Sequence, residues 1–269
     1  MNPLPFVRPR RILAMCLSLC GALLLTACAT PRPPEVTKPV RPALPLRTPA
    51  ATPYSAIVVD AHSGKLIYAA ADKQTRFPAS LVKMMTLYLV FDALDSGRIS
   101  KNTRIPISAR AAAQPASKLY LKPGDTIDVD TAIRALVVKS ANDVATAVAE
   151  HLGGSEANFS AQMTARARML GMSDTIFRNA SGLPDPGMRT TARDMATLGM
   201  ALKRDFPGKF GYFSLRDFEH KGQIFKGHNR AMDMIDGADG IKTGFTRAAG
   251  FNLATSVRQD GRAVVAVVM

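Results

Sequence analysis

The sequence predicts an α+β fold, with an antiparallel sheet built from both chain ends, flanked by helices, and a mostly helical inserted lobe at about residues 100–215. Three observations predict it. Early in the folded part, "SAIVVDAHSGKLIYAAAD" carries two β-like runs around a turn. The long middle carries apolar residues at helical spacing. The pattern then returns to short strand-like runs, "GQIFKGHN", "GADGIKTGF", "GFNLATSVRQ" and "GRAVVAVVM", separated by glycines or charged turns. Two terminal sets of strands around a helical middle imply one sheet made from both. No internal repeat is visible.

Residues 1–28 read as one segment with the stretch "VRPRRILAMCLSLCGALLLTAC": Arg8, Arg10 and Arg11, an apolar stretch too short for a typical span, then small residues. This reads as an export signal, so the mature protein is expected on the periplasmic side of the envelope. All three cysteines, Cys16, Cys20 and Cys28, fall inside it, which leaves the folded part no disulfide even in an oxidising compartment. "LTAC" resembles a bacterial lipobox, with Cys28 as the lipidated first residue and a membrane anchor. The competing reading is cleavage after Ala29, because Ala27 and Ala29 also make an A-x-A site. The lipoprotein is preferred, since a thiol after Leu-Thr-Ala has no packing role in a discarded peptide. Residues 29–53 are proline-dense and basic, hence an extended tether. Residues 54–269 are expected to form the folded domain.

In that domain, Ser63-Gly64 supplies the turn of the first hairpin. "PASLVKMMTLYLVFDAL" follows as an amphipathic helix with a lysine beside its apolar run. "DTAIRALVV", "NDVATAVAEHL", "SEANFSAQMTARARMLG" and "TTARDMATLGMALKRD" supply the inserted helices. The chain stops in "AVVAVVM", which looks like a buried strand without a polar end, so a truncated record is expected.

The 269 residues carry a formal charge of +14, which suits lipid head groups or a cell-wall polymer bearing carboxylates. Nucleic acid is not implied, because no aromatic residues interleave with the bases to form a stacking platform. His62, His151, His220 and His228 are scattered without ligand spacing, so no metal or other cofactor is expected.

Three short motifs carry the chemistry. Ser80 and Lys83, at i and i+3, share a helical face with Cβ atoms about 5–6 Å apart, so the amine reaches the hydroxyl. Serine is a weak nucleophile until a base takes its proton, and lysine near apolar residues and other cations loses its preference for charge. Pro78 places Ser80 in or near the first turn, where free amides favour developing negative charge. The bland account is a cap and a snorkelling lysine.

"KSANDVA" is the second. A hydroxyl at Ser140 can relay a proton, and the Asn142 amide can both hold a lysine and donate to a substrate carbonyl; the bland account is an N-cap region. "SKN" at Ser100 to Asn102 matches the same pattern but follows a helix break, and reads as loop punctuation. The third is "DGIKTGFT". Lys242 and Thr243 beside Gly244, on a strand edge left open by the missing side chain, suit a peptide with a terminal carboxylate bound by strand addition. Alone, it is an edge strand guarded by lysine.

In this order and with these contexts, SxxK, SxN and KTG resemble the penicillin-recognising serine enzymes, and most closely the low-molecular-mass penicillin-binding proteins, the D-alanyl-D-alanine carboxypeptidases. The resemblance runs from about Tyr54 to Met269 and includes "FRNASGLPDPGMRTTARDMA", "GHNR" and "GIKTGFTRAAGFNL". It implies a β-lactamase/DD-peptidase-like fold, peptidoglycan stem peptides as substrate and β-lactam antibiotics as inhibitors. It makes Ser80 the acylated nucleophile, Lys83 its base and Ser140 a proton relay. Asn142, Lys242, Thr243 and Gly244 become substrate-binding groups, and the Phe245 amide joins that of Ser80 in an oxyanion hole. Some relatives have His where Phe245 stands, so that side chain's help in deacylation is absent. Arg230 and Arg247 are candidates for added positive potential.

A class A β-lactamase also needs a deacylating glutamate, and Glu150, Glu156 and Glu219 lack its E-x-x-x-N context. A D-alanyl crosslink endopeptidase would use the same residues. A non-catalytic peptidoglycan-binding lipoprotein would have no need of Lys83.

Overall fold

The computed structural model describes residues 54–269; the expected export signal, Cys28 and the expected proline-rich tether lie outside the described residues. Strands β1 (Ala56–Asp60) and β2 (Leu66–Ala70) form the expected hairpin. Asp60 Oδ1 organises its turn, accepting from the backbone N–H of His62 at 3.1 Å and of Ser63 at 2.7 Å.

The other chain end supplies β7 (Ala238–Thr246), β8 (Gly250–Gln259) and β9 (Arg262–Val268). All five strands pair antiparallel in the order β2-β1-β9-β8-β7. Strand β9 is central and joins the two ends, with Val58 opposite Ala266 on one side and Thr255 opposite Ala266 on the other. Its buried face is formed by Val265 and Val267, which are fully buried, while Val268 is exposed. Strand β7 is left at an edge, with backbone groups free to pair with a ligand.

Between these ends lie β3 (Arg104–Pro106), α2 (Ala109–Ala112), β4 (Thr126–Asp128), α3 (Val129–Arg134), α4 (Asn142–Gly153), α5 (Glu156–Met169) and α6 (Ala192–Asp205). They are preceded by α1 (Lys83–Asp95), which a 3-10 turn at Ala79–Val82 introduces.

The structure corrects three expectations. Helix α1 is not amphipathic: every residue from Lys83 to Phe91 is buried. It packs against α4, α5 and α6 together, so it is apolar on all sides because neighbours surround it. "GQIFKGHN" does not join the main sheet. Its strand β6 (Gln223–Lys226) pairs with β5 (Asp217–His220) in a separate hairpin, and β3–β4 is a further small sheet inside the helical region. Finally, α6 does not belong to the helical lobe alone, because it packs on β1, β8 and β9.

The far end of α1 is fixed by aromatic contacts. Tyr88 and Phe91 meet Phe206 edge-on at 4.8 and 5.6 Å, and the Tyr88 hydroxyl donates to Asp205 at 2.7 Å. Burying a side chain of the size of Phe91 contributes about 1.5–3 kcal/mol, so this end of the helix has little freedom to move.

Candidate active site

The three motifs converge. Lys83 is completely buried, and its Nζ lies 3.2 Å from Ser80 Oγ, 2.8 Å from Asn142 Oδ1 and 2.5 Å from the Ser181 carbonyl. Two of these partners, the amide oxygen and the carbonyl, can only accept. A neutral amine has two N–H bonds and one lone pair. Once both N–H bonds serve those acceptors, the lone pair is left facing the Ser80 hydroxyl. Burial pushes the Lys83 ammonium well below its ordinary range, the charge of Lys242 pushes it further, and Asp143 opposes both. The bland account of a snorkelling lysine fails, because this amine never reaches water.

Ser80 lies on the 3-10 turn, whose threefold repeat aligns residues i and i+3. The turn is held in an unfavourable shape: Ala79 has φ 47°, a conformation that costs a non-glycine residue about 1–3 kcal/mol and persists only where its surroundings enforce it. Two glycines do so from opposite sides. A Cβ at Gly182 would stand 1.9 Å from the Ala79 carbonyl oxygen, and one at Gly244 would stand 2.9 Å from Ser80 N. The missing side chain at Gly244 therefore admits the turn that carries Ser80, whereas the sequence reading reserved that space for a ligand.

Ser140 and Asn142 play different structural parts. Ser140 follows a π-helical segment, Ala135–Lys139, and takes a left-handed conformation with φ 59°. It is not an N-cap: α4 is capped at Ala141 with no side-chain bond, and Ser140 Oγ is buried with no hydrogen-bond partner among the described residues. Asn142, in contrast, is fully engaged. Beyond its bond from Lys83, its Nδ2 donates to the Pro115 carbonyl at 3.0 Å and its backbone N–H to that of Ser117 at 2.7 Å. The neighbouring Asp143 carboxylate is buried and accepts from the N–H of Leu119 at 3.0 Å, which fastens residues 115–119 to the start of α4.

A cleft of about 920 Å³ opens over these groups. Ser80, Ser140, Asn142, Thr243, Gly244 and Phe245 line it. Lys242 lies behind that wall, buried, with Nζ donating to the Thr243 carbonyl at 3.0 Å, and burial lowers its pKa to about 8. The Phe245 ring is exposed and rests on Phe251, ring centres 4.5 Å apart. Arg230 lines the cleft; Arg247 is not among its lining residues. Ser100 to Asn102 lies in a turn before β3, away from the cleft.

Sequence reasoning missed the loop that carries Ser181. "FRNASGLPDPGM" registered only as part of a resemblance, yet it supplies one of the acceptors for Lys83. Asn179 shapes it: its Oδ1 accepts from the N–H of Gly182 at 2.7 Å and of Ser181 at 3.2 Å, while Nδ2 donates to the Leu183 carbonyl at 3.0 Å. The usable signal was Asn-x-Ser-Gly, a turn sequence with a glycine that here takes φ 84°.

Comparison with known proteins agrees with this geometry. The D-alanyl-D-alanine carboxypeptidase (peptidase S11) family model matches residues 44–269. The chain belongs to this family. Its relatives include the D-alanyl-D-alanine carboxypeptidase DacF of Bacillus subtilis, 32% identical over 80% of this chain and 56% of the relative. DacA of Escherichia coli is 32% identical over 100% of this chain and 67% of its own length. Among solved structures, penicillin binding protein 5 from Haemophilus influenzae superposes with a TM-score of 0.78 at 33% identity, over 83% of this chain and 67% of that one. The cefotaxime-bound penicillin-binding protein D2 from Listeria monocytogenes gives 0.73 at 30% identity, over 80% and 87%. The chain spans a little over half the length of DacF, so this family member corresponds to one part of that relative.

Proposed function

We propose that the chain is a serine D-alanyl-D-alanine carboxypeptidase that removes the terminal D-alanine from peptidoglycan pentapeptides and is inhibited by β-lactams. The observation that carries this reading is the buried Lys83 amine, with two acceptor-only partners and its remaining position on Ser80 Oγ. Family membership and the cefotaxime-bound neighbour support it.

A stem peptide lies along the open edge of β7. Ser80 Oγ attacks the carbonyl carbon of the penultimate D-alanine as its proton passes to Lys83 Nζ. The oxyanion is held by the backbone N–H groups of Ser80 and Phe245. Collapse of the tetrahedral intermediate breaks the C–N bond, and the departing amine takes a proton relayed through Ser140 from Lys83. Water then attacks the ester and restores Ser80 Oγ–H. Thr243 holds the substrate's terminal carboxylate, with the buried ammonium of Lys242 supplying positive charge from behind it and Arg230 adding to the potential of the cleft.

With a β-lactam the same attack opens the ring and leaves an ester. No carboxylate lines the cleft among the described residues, and Glu156 is bound to Arg110 at 2.8 Å. No carboxylate is therefore placed to activate water as a β-lactamase glutamate would, and slow release of the drug is expected.

A fluorescent penicillin tests the proposal. Stable labelling of the wild type and none of Ser80→Ala is expected, whereas a folded wild type that takes no label refutes it. Digestion of muropeptides reads the substrate: pentapeptides becoming tetrapeptides marks a carboxypeptidase, and crosslinked dimers becoming monomers marks an endopeptidase.

The export signal and lipobox-like "LTAC" support a periplasmic protein anchored through a lipid on Cys28. An alkynyl fatty acid should label the wild type and not Cys28→Ala; equal labelling of both defeats the anchor.

A further inference from the structure

Strand β8 carries a buried amide that none of the roles above uses. Asn252 is 3% exposed and stands opposite Gly244 in the β7–β8 register. Cross-strand partners present their side chains to the same face of a sheet, and on this face the missing Cβ of Gly244 admits the turn bearing Ser80. Asn252 fills the place beside it. Its Nδ2 donates to the carbonyls of Phe77 at 2.9 Å and Pro78 at 3.1 Å, the residues that lead into that turn. Carbonyls only accept, so the chemistry of the partners fixes which end of the amide faces them.

The arrangement is expensive for packing alone. Asn252 Oδ1 is left buried with no partner among the described residues, and an apolar side chain of similar size would avoid that penalty. The Pro78 carbonyl also accepts from Leu81 N at 3.2 Å, so the group that closes the turn is the one tied to the sheet. Gly182 and Gly244 confine the Ala79–Ser80 peptide by contact. The amide of Asn252 adds a directional bond.

We propose that Asn252 is a positioning residue for acylation: by holding the Phe77 and Pro78 carbonyls it fixes the left-handed Ala79 and so keeps Ser80 Oγ facing Lys83 and Ser80 N–H beside β7. This rests on the reading of Ser80 as nucleophile. A displacement of this turn by about 1 Å is enough to cost about 10²-fold in rate.

The test measures both the fraction of protein labelled by fluorescent penicillin and the rate constant at which that fraction labels. Asn252→Leu removes the donor and the orphaned oxygen together. It should label to full stoichiometry with a rate constant lowered at least tenfold, a near wild-type melting temperature, and the acidic limb of the pH profile unmoved, because Asn252 does not touch Lys83. Asn252→Asp keeps the size of the side chain but turns an acceptor toward the two carbonyls; it should be slower still, and it serves if leucine is not accommodated. Thr255→Val is the control. It removes an equally buried anchor of the same strand, which donates to the Gly240 carbonyl at 2.8 Å away from the turn, and it should label at the wild-type rate.

A wild-type rate constant in both Asn252 variants overturns the proposal. So does a loss matched by Thr255→Val, or a reduced labelled fraction that reacts at the wild-type rate, which is the mark of a structural role. If the wild type takes no label, the assignment of Ser80 falls first and this inference with it.

Discussion

Two sets of polar groups at the cleft are finished to different degrees. In the first, around Ser80, Lys83 has a partner in each direction, Asn142 uses both ends of its amide, and the turn that carries Ser80 is confined by Gly182 and Gly244. In the second, Ser140 Oγ and both amide atoms of Asn229 are buried with no partner among the described residues, and Lys242 has one bond from Nζ, to a backbone carbonyl. In the proposed mechanism the difference is one of timing. The groups that would create the nucleophile are held before any ligand arrives, while those that would receive the carboxylate and pass on the proton keep their hydrogen-bonding capacity for it.

The largest expected effect comes from breaking the first set. Lys83→Ala removes the proposed base and should lower the acylation rate constant by about 10²–10⁴-fold at neutral pH, as measured by penicillin labelling of protein whose fold is checked by circular dichroism. Wild-type rates in that variant would move the base elsewhere. Next comes the clamp. Gly182→Ala cannot be accommodated without backbone movement, because its Cβ would lie 1.9 Å from the Ala79 carbonyl and its φ is 84°. About a 10²-fold loss of acylation is expected. A variant that labels normally would show that the turn keeps its shape without the contact.

These two residues also show where the sequence was readable. Lys83 could be found because its two functional neighbours belong to short motifs whose order survives in a linear string. The central strand β9 was legible for a similar reason, since an apolar run with no alternation is a local property. Gly182 was not legible as a clamp, because its meaning lies in the Ala79 carbonyl that folding brings against it. The same holds for α6, whose helical pattern was clear while its position on the sheet depends on which elements pack together. Helix α1 is expected to be amphipathic, but "MMTLYLVF" has no polar stripe, and its burial on all sides depends on the helices that folding packs around it.

The pH profile tests both sets at once. In the proposed mechanism acylation needs Lys83 neutral, so its rate should rise with pH through the lowered pKa of that group and then level. It also needs Lys242 charged to hold the carboxylate, so the rate should fall as pH rises past about 8. The loss approaches tenfold per pH unit beyond that point, as for any single deprotonation. Lys242→Arg keeps the cation at all working pH values, at some cost in fit, and should shift the alkaline limb upward. An alkaline limb that stays near pH 8 in the arginine variant would assign it to another group.

The smallest effects are on stability, and there two residues of one motif should differ in sign. Ser140→Ala deletes a buried hydroxyl that has no protein partner and keeps the Cβ that the left-handed backbone already tolerates, so unfolding free energy should rise by about 1 kcal/mol even as turnover falls. Asn142→Ala instead strands the Pro115 carbonyl and takes an acceptor from Lys83, which should lower stability by about 1–3 kcal/mol. Urea unfolding of the two variants beside the wild type decides the matter. Opposite shifts support one set of groups built for structure as well as chemistry and another built for the ligand; a loss of stability in Ser140→Ala would mean that its hydroxyl is satisfied in solution and that the second set, too, is complete before the substrate arrives.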